Sequence, residues 1–242
     1  MEFLMAFNLK KFLLLATLSV SLTACSSTSH TDGGVHDPFE GFNRGVYKFN
    51  DVVDTVALEP IARGYRAAVP QPARTGVRNA LRNLKSPTII ANDLLQGNVA
   101  GACDSTTRFL ANTLFGLGGT IDVAGKEGLT YREEDFGQTL GVWGAGHGAY
   151  LVLPFFGPSS VRDGTGLAVD MSTDVYGLWA RNSEEYAAGY GRTLLGAVDK
   201  REELLEVLAD LKKNSIDSYA ATKSAYVQRR ASLVGTDLSD AP

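Results

Sequence analysis

The chain is 242 residues long, with 23 basic against 27 acidic side chains and a formal net charge of −4. That balance excludes a nucleic-acid binder, which needs a basic surface. Two cysteines leave no disulfide framework, and the length allows one good core or two small ones.

Lys10 and Lys11 form a positive n-region, and Phe12 to Leu22 an apolar h-region. Leu22-Thr23-Ala24-Cys25 is a cleavage signal ending in cysteine. This is the pattern at which bacterial lipoproteins are acylated and cut, so residues 1–24 read as a signal peptide and Cys25 as the lipidation site. An ordinary secretory leader with a chance cysteine is the weaker reading, given the small-small-Cys order after leucine. Each buried acyl CH₂ contributes about 0.8 kcal/mol, and stable anchoring takes more than one chain. Ser26 stands where an inner-membrane retention signal places Asp, so the expected address is the outer membrane of a Gram-negative cell, on its periplasmic side. Losing Glu2, Lys10 and Lys11 with the leader takes the formal charge to −5. With Cys25 acylated, Cys103 is the one remaining cysteine and no intrachain disulfide can form. Past the leader no apolar run approaches the roughly 18 residues of a spanning helix; the longest, Ala149 to Phe156, contains Pro154.

Residues 25–36, rich in Ser, Thr, His, Gly and Asp, read as a lipidated flexible tether. Asp37-Pro38-Phe39-Glu40 has capping-box spacing with proline in the first turn, so order is expected from Asp37. Phe39, Phe42, Val46, Phe49, Val53 and Val56 then recur at steps of three and four, predicting one long helix that Pro60 stops. Pro60, Pro70, Pro72 and Pro87 mark further boundaries. Between Ala73 and Lys85, Val77, Leu81 and Leu84 share a face beside Arg74, Arg78, Arg82 and Lys85. Such a basic border suits a lipid-headgroup boundary or a solvated polar face equally. Ser86-Pro87 is expected to restart a helix that Gly97 ends.

Asn98 to Phe115 predicts a further helix stopped by Gly116, its apolar face running through Val99, Cys103, Thr106, Leu110 and Leu114. Cys103 on that face reads as a small buried hydrophobe, and Asp104 and Arg108 as an i,i+4 pair. Over Phe136 to Ser159 the helical pattern breaks. Gly137, Gly141, Gly144, Gly146 and Gly148 precede the apolar run Tyr150 to Phe156, which suggests a hairpin or re-entrant loop, with an ordinary buried hairpin as the plainer alternative. Three helices follow: Ser160 to Met171, Ser183 to Val198, and Asp199 to about Leu233. Ser160 with Asp163 and Asp199 with Glu202 have capping-box spacing. In the last helix Leu204, Leu208 and Leu211 form a narrow stripe, and Lys212-Lys213-Asn214 marks a kink or register change. Residues 37–234 thus form one helical domain, and 235–242 a loose tail.

The order of these pieces resembles one family. Asp37-Pro38-Phe39-Glu40-Gly41-Phe42-Asn43-Arg44, Tyr47-Lys48-Phe49-Asn50, Val69-Pro70-Gln71-Pro72-Ala73-Arg74 and Leu95-Gln96-Gly97 are similar to the VacJ/MlaA lipoproteins. So are Arg108-Phe109-Leu110-Ala111-Asn112-Thr113, Ile121-Asp122-Val123-Ala124-Gly125, Phe136-Gly137-Gln138-Thr139-Leu140-Gly141, Leu153-Pro154-Phe155-Phe156-Gly157, Arg162-Asp163 and Ala225-Tyr226-Val227-Gln228-Arg229-Arg230. The blocks run from the lipidation signal to about Ala231, and together they are highly specific. The resemblance implies a mainly α fold: a ring of amphipathic helices embedded in one membrane leaflet, with a glycine-rich hairpin loop and a central amphiphilic channel. It implies removal of phospholipids misplaced in the outer leaflet and their transfer to a soluble periplasmic carrier, in complex with a trimeric porin and without a cofactor. By position, Phe42 and Asn43 would help set the channel's closed or open state, and Gly144 and Gly146 would flex the hairpin that gates it. Two features depart from the family. Ala149 stands where proline often follows the hairpin glycines, which leaves the loop less constrained, and the C-terminal tail is short.

Two rival classes remain. An envelope hydrolase acting on lipid or peptidoglycan would have to centre on His147 with Asp135 or Asp163. His30 and His36 lie in the tether, and there is no Gly-x-Ser-x-Gly elbow, His-Glu-x-x-His pair or phosphate loop. A structural lipoprotein bracing porins shares the tether and helices, but has no use for the glycine spacing.

Overall fold

The computed structural model describes residues 37–235; the leader, Cys25, the tether and residues 236–242 lie outside the described residues. Helix α1 (Glu40–Val53) runs through a π-helical turn (Asp54–Leu58) into α2 (Glu59–Ala68). Pro60 therefore does not stop the first helix. In the π turn the Glu59 N–H reaches back to the Asp54 carbonyl, and the wider ladder relieves the clash that a proline ring makes with the preceding turn. Nor does Asp37 cap this helix: the N-cap is Phe39, with no side-chain bond. The Asp37 carboxylate, buried, instead accepts from the Tyr219 hydroxyl at 2.5 Å and from Asn43 Nδ2 at 2.8 Å, and pairs with Lys223 at 3.3 Å.

Helix α3 (Gln71–Leu95) is continuous, with Pro70 as N-cap, Pro72 in its first turn and Pro87 in its interior. The expected restart at Ser86-Pro87 is absent. Packing of α3 against α4 (Val99–Phe115) along its length outweighs the roughly 3 kcal/mol that an interior proline costs. The ends of α4 match expectation: Asn98 accepts from Gly101 N and Gly116 is the C-cap. A short turn α5 (Val123–Lys126) follows, then α6 (Phe136–Val142), N-capped by Asp135. A helix thus occupies the start of the segment expected to be non-helical. Strands β1 (Tyr150–Leu153) and β2 (Gly157–Ser160) pair antiparallel, Tyr150 opposite Ser160 and Leu153 opposite Gly157. Helix α7 (Val161–Thr173) starts at the Ser160 cap, whose hydroxyl accepts from Asp163 N at 3.0 Å.

The remainder is α8 (Val175–Asn182), α9 (Tyr186–Glu203), α10 (Leu205–Asn214) and α11 (Ser218–Val234). The break after Lys212-Lys213-Asn214 falls where a register change was expected. Asp199 and Glu202, however, do not start a helix; they lie inside α9 and are buried. Glu202 is gripped by Arg66, Arg74 and Arg78, and Asp199 by Arg78 at 3.0 Å. The basic border on α3 is thus consumed internally, with Arg82 facing Glu203 at 3.5 Å and Lys85 facing Glu133 at 2.8 Å.

Burial is inverted relative to a water-soluble bundle. Among the described residues seventeen polar or charged side chains are buried against nine hydrophobic ones, while thirty large hydrophobic side chains are exposed. Helix α4 shows why. Its inner face is Gly101, Ala102, Ser105, Arg108 and Asn112, and its expected core face points outward, with Val99, Leu110, Leu114 and Cys103 all exposed. Arg108 ignores Asp104 and grips Asp122 at 3.0 Å, a residue fourteen positions away. A compact apolar cluster, Tyr150, Val152 and Tyr219 with Val46, Tyr47 and Tyr226 around it, fastens the hairpin between α1 and α11.

Candidate functional site

The helices border an open cavity of about 770 Å³. Its wall is built by α3, α7, α8, α9 and α11, with the hairpin turn at Phe156 to Ser159 closing one side. Helix α7 contributes Asp163, Leu167, Asp170 and Met171, with Asp174 just past its end. Steps of three and four put these on one helical face. Acidic and apolar groups alternate along it, so the lumen is amphiphilic rather than a dry pocket.

One end of the cavity holds a tight ionic cluster. Arg230 donates to Asp135 at 2.6 and 3.0 Å and to Asp163 at 2.9 Å, and the Tyr226 hydroxyl also donates to Asp163. Burial pushes the Asp135 carboxyl up, but the Arg230 guanidinium and the Gln138 N–H outweigh it, so Asp135 titrates at about 2. Asp163 is likewise held below the ordinary carboxylate range, burial being overcome by Tyr226, Arg230 and Arg162. Burial and the Asp163 charge push the Tyr226 phenol up. Fixed charges of this kind persist across physiological pH.

His147 stacks edge-on to Tyr226 at 5.6 Å, and its buried Nε2 has no hydrogen-bond partner among the described residues. Burial lowers its pKa, against the pull of Asp163. Asp135 and Asp163 spend their oxygens on Arg230, on Tyr226 and on the first turn of α6. The geometry therefore does not orient a histidine base through either carboxylate. Among the described residues no group of His, Cys, Asp or Glu is arranged to hold a metal ion.

The four residues singled out in the first helix and hairpin do not line the cavity. Phe42 is exposed on the outside of α1, whereas Asn43 is fully buried. Asn43 Nδ2 donates to the Tyr150 carbonyl at 3.0 Å, and its Oδ1 accepts from Val152 N at 2.9 Å. Two turns on, Asn50 repeats the contact: Nδ2 donates to the Leu153 carbonyl at 2.9 Å, and Oδ1 accepts from Phe155 N at 2.8 Å. Two side-chain amides thus stand in for a missing strand along the free edge of β1. Asn50 was legible only as part of a family block; its i+7 spacing from Asn43 is the signal that places both on one face. Through β1 the clasp reaches the cavity, because Val152 pairs with Pro158 and Leu151 with Ser159, both wall residues. Gly144 and Gly146 sit in the exposed segment between α6 and β1. Gly144 has φ +91°, a conformation that favours glycine, and a Cβ at Gly146 would meet nothing within 4 Å.

Outside, the C-terminal end of α4 and its continuation present Leu110, Leu114, Phe115 and Leu117, all exposed; toward its N-terminal end Leu94, Leu95 and Trp143 are exposed as well, with the Trp143 indole donating to the Leu95 carbonyl at 2.9 Å. Exposed apolar side chains in this number mark contact with lipid or protein rather than water. No helix among the described residues is long and apolar enough to cross a membrane. A polar interior within an apolar exterior suits a body sunk into one lipid layer.

Comparison with known proteins agrees with this geometry. A family model described as MlaA lipoprotein matches residues 35–233. The chain is 37% identical over 219 residues to the intermembrane phospholipid transport system lipoprotein MlaA of Escherichia coli (strain K12), covering 89% of this chain and 85% of that protein. It is 36% identical over 225 residues to the protein of that name in Haemophilus influenzae, covering 90% and 88%. A solved structure from work on the structural basis for maintenance of bacterial outer membrane lipid asymmetry superposes with a TM-score of 0.70 at 35% identity, over 82% of this chain and 98% of that one.

Proposed function

The chain belongs to the MlaA lipoprotein family, and from that premise we propose that it removes misplaced phospholipids from the outer leaflet through its cavity. It serves intermembrane phospholipid transport and the maintenance of outer-membrane lipid asymmetry. The observation that carries the channel reading is the amphiphilic cavity of about 770 Å³ inside an apolar shell. A phospholipid moving across hydrocarbon must desolvate its headgroup, and charged and polar groups along a lumen replace the lost hydration. Downhill movement needs no energy source. The finer assignments, a Cys25 anchor, a periplasmic-side position, a trimeric porin and a soluble carrier as partners, rest on the leader pattern and the family resemblance.

Asn43 and Asn50 hold the hairpin to the first helix, which supports a role for the first helix in setting the channel state. The segment bearing Gly144 and Gly146 supplies the hinge of the gate. The deciding experiment measures outer-leaflet phospholipid in cells lacking the protein and complemented with wild type, Gly144→Pro or Gly146→Val. Loss of the protein is expected to raise surface phospholipid, and Gly146→Val to alter it at normal protein abundance. Unchanged lipid in every strain would favour a porin brace. His147→Ala is expected to leave transport near wild type, and abolition of function at normal abundance would favour a hydrolase.

A further inference from the structure

The cavity wall carries four cationic side chains, Lys85, Arg181, Arg192 and Arg230. Three are matched by carboxylates. Lys85 is held by Glu133 at 2.8 Å, Arg192 pairs with Asp174 at 2.6 Å, and Arg230 neutralises Asp135 and Asp163. Arg181 is the exception: it donates to the Ser172 carbonyl at 3.4 Å and has no carboxylate in ion-pair range among the described residues. One long bond leaves most of a guanidinium's N–H donors to be used.

Helix α8 decides where that charge stands. Tyr176, Gly177, Ala180 and Arg181 share the face that lines the cavity, while Val175, Leu178 and Trp179 are exposed on the opposite one. The helix thus divides an apolar exterior from the lumen, and in a body sunk into lipid a cation without a counter-charge on the inner side marks the path of an anion. A Cβ at Gly177 would stand 2.7 Å from Asp174 Oδ2 and 3.5 Å from Arg181 Nη1. Glycine therefore leaves a gap bordered by the Arg181 guanidinium and by the Asp174–Arg192 pair. Two arginines and one carboxylate give this corner a net positive charge, complementary to the negative charge of a phosphodiester. Asp170 does not supply the missing counter-charge, because its oxygens are turned to Phe136 N at 3.0 Å and Asn92 Nδ2 at 3.2 Å.

Resting on the phospholipid-conduit reading above, we infer that Arg181 receives the phosphate of the lipid in transit, at the gap over Gly177, whatever headgroup that phosphate carries. Arg192 is tied to Asp174 and lies over the Tyr176 ring at 5.0 Å. It adds to the field of the corner, while Arg181 makes the contact with paired N–H donors, the geometry that suits a guanidinium to phosphate.

The test is native mass spectrometry of the full-length protein, purified in detergent and offered phosphatidylethanolamine, phosphatidylglycerol and a phosphate-free diacylglycerol of the same chains. Wild type is expected to carry either phospholipid in roughly tenfold excess over the diacylglycerol, the worth of one charge-assisted contact. Arg181→Gln should cut binding of both phospholipids by roughly tenfold and leave the diacylglycerol unchanged. Arg181→Lys, which keeps the charge, should recover part of that loss. Unchanged phospholipid binding in Arg181→Gln, an equal loss of diacylglycerol, or no recovery with lysine at a wild-type melting temperature overturns the assignment. Should Arg181→Gln not fold, the wild type still decides: equal binding of phospholipid and diacylglycerol means that no cation reads the phosphate. Displacement of the phospholipid by excess inorganic phosphate would assign the corner to a free ion instead. Each of these outcomes leaves the conduit standing; no phospholipid on the wild type overturns the conduit as well.

Discussion

Replacing Asn43 with alanine tests whether the first helix is clasped to the hairpin. The side chain is fully buried and makes three hydrogen bonds, to Asp37 Oδ1, the Tyr150 carbonyl and Val152 N. Asp37 keeps Tyr219 and Lys223 when the amide is lost, so its share of the penalty is small. The Tyr150 carbonyl and the Val152 N–H are left without partners on the free edge of β1, at about 1–3 kcal/mol each. The sum, roughly 2–6 kcal/mol, is a large part of the 5–15 kcal/mol typical of a domain. For a domain of this size it corresponds to a fall in melting temperature of roughly 4 to 24 °C. The assay is thermal unfolding in detergent together with limited proteolysis of the 143–149 segment, which should be cut faster. Asn43→Asp should be worse than alanine, because it sets a second carboxylate against Asp37 and the Tyr150 carbonyl. A melting curve for Asn43→Ala within a degree of wild type, with the hairpin equally protected, would refute the clasp.

Three further outcomes follow from the geometry. A Cβ at Gly166 would overlap the backbone of Gly137, where α7 crosses α6, so Gly166→Ala should destabilise by at least 1–3 kcal/mol; denaturant unfolding that stays at wild-type stability contradicts the close approach. Asp135 titrates at about 2, below the ordinary 3.8, so its pairing with Arg230 contributes full stability above the ordinary value and loses it as pH falls toward 2. In a pH series of unfolding, Asp135→Asn should flatten that acid limb, and an unaltered limb would assign the loss to other groups. Leu114, 70% exposed on α4, faces lipid in this account. Leu114→Asp should cut vesicle co-flotation of the unacylated Cys25→Ser protein roughly tenfold or more, given about 2.5–3.5 kcal/mol for a charge in hydrocarbon. Equal flotation would move that face out of the membrane.

Local signals in the sequence carried well where the partner was also local. Asn98 and Gly116 at the ends of α4, and Ser160 at the start of α7, stand where their side-chain and backbone chemistry puts them. Prolines misled, because Pro60 is accommodated by a π turn and Pro87 by the packing of α3 on α4, and both depend on tertiary structure. Helical spacing located the apolar stripe of α4 correctly but not which way it faces. Cys103 was assigned to a core because periodicity alone does not say whether the solvent is water or lipid. Carboxylates at cap-like spacing had a second use that spacing cannot reveal, Asp199 and Glu202 being taken by arginines more than 120 positions away. The cavity wall joins the consecutive helices α7 to α9 with α3 and α11, which are distant from them in sequence. Asp163 and Arg230 could therefore be quoted as motif residues and Asp135 as a candidate partner of His147, but their convergence on one ionic cluster stood out only once folding had brought them together.

The reversed distribution of side chains on α4 carries a cost before the protein reaches its place of work. On the proposed reading of a secreted, acylated chain, one that turns leucine and phenylalanine outward would be a sticky particle while in the aqueous gap between two membranes. It would self-associate unless an escort shielded that skin or the proposed acyl anchor drew it quickly into a bilayer. Slowing delivery should therefore produce aggregates rather than a soluble periplasmic pool, even when every internal ion pair has formed.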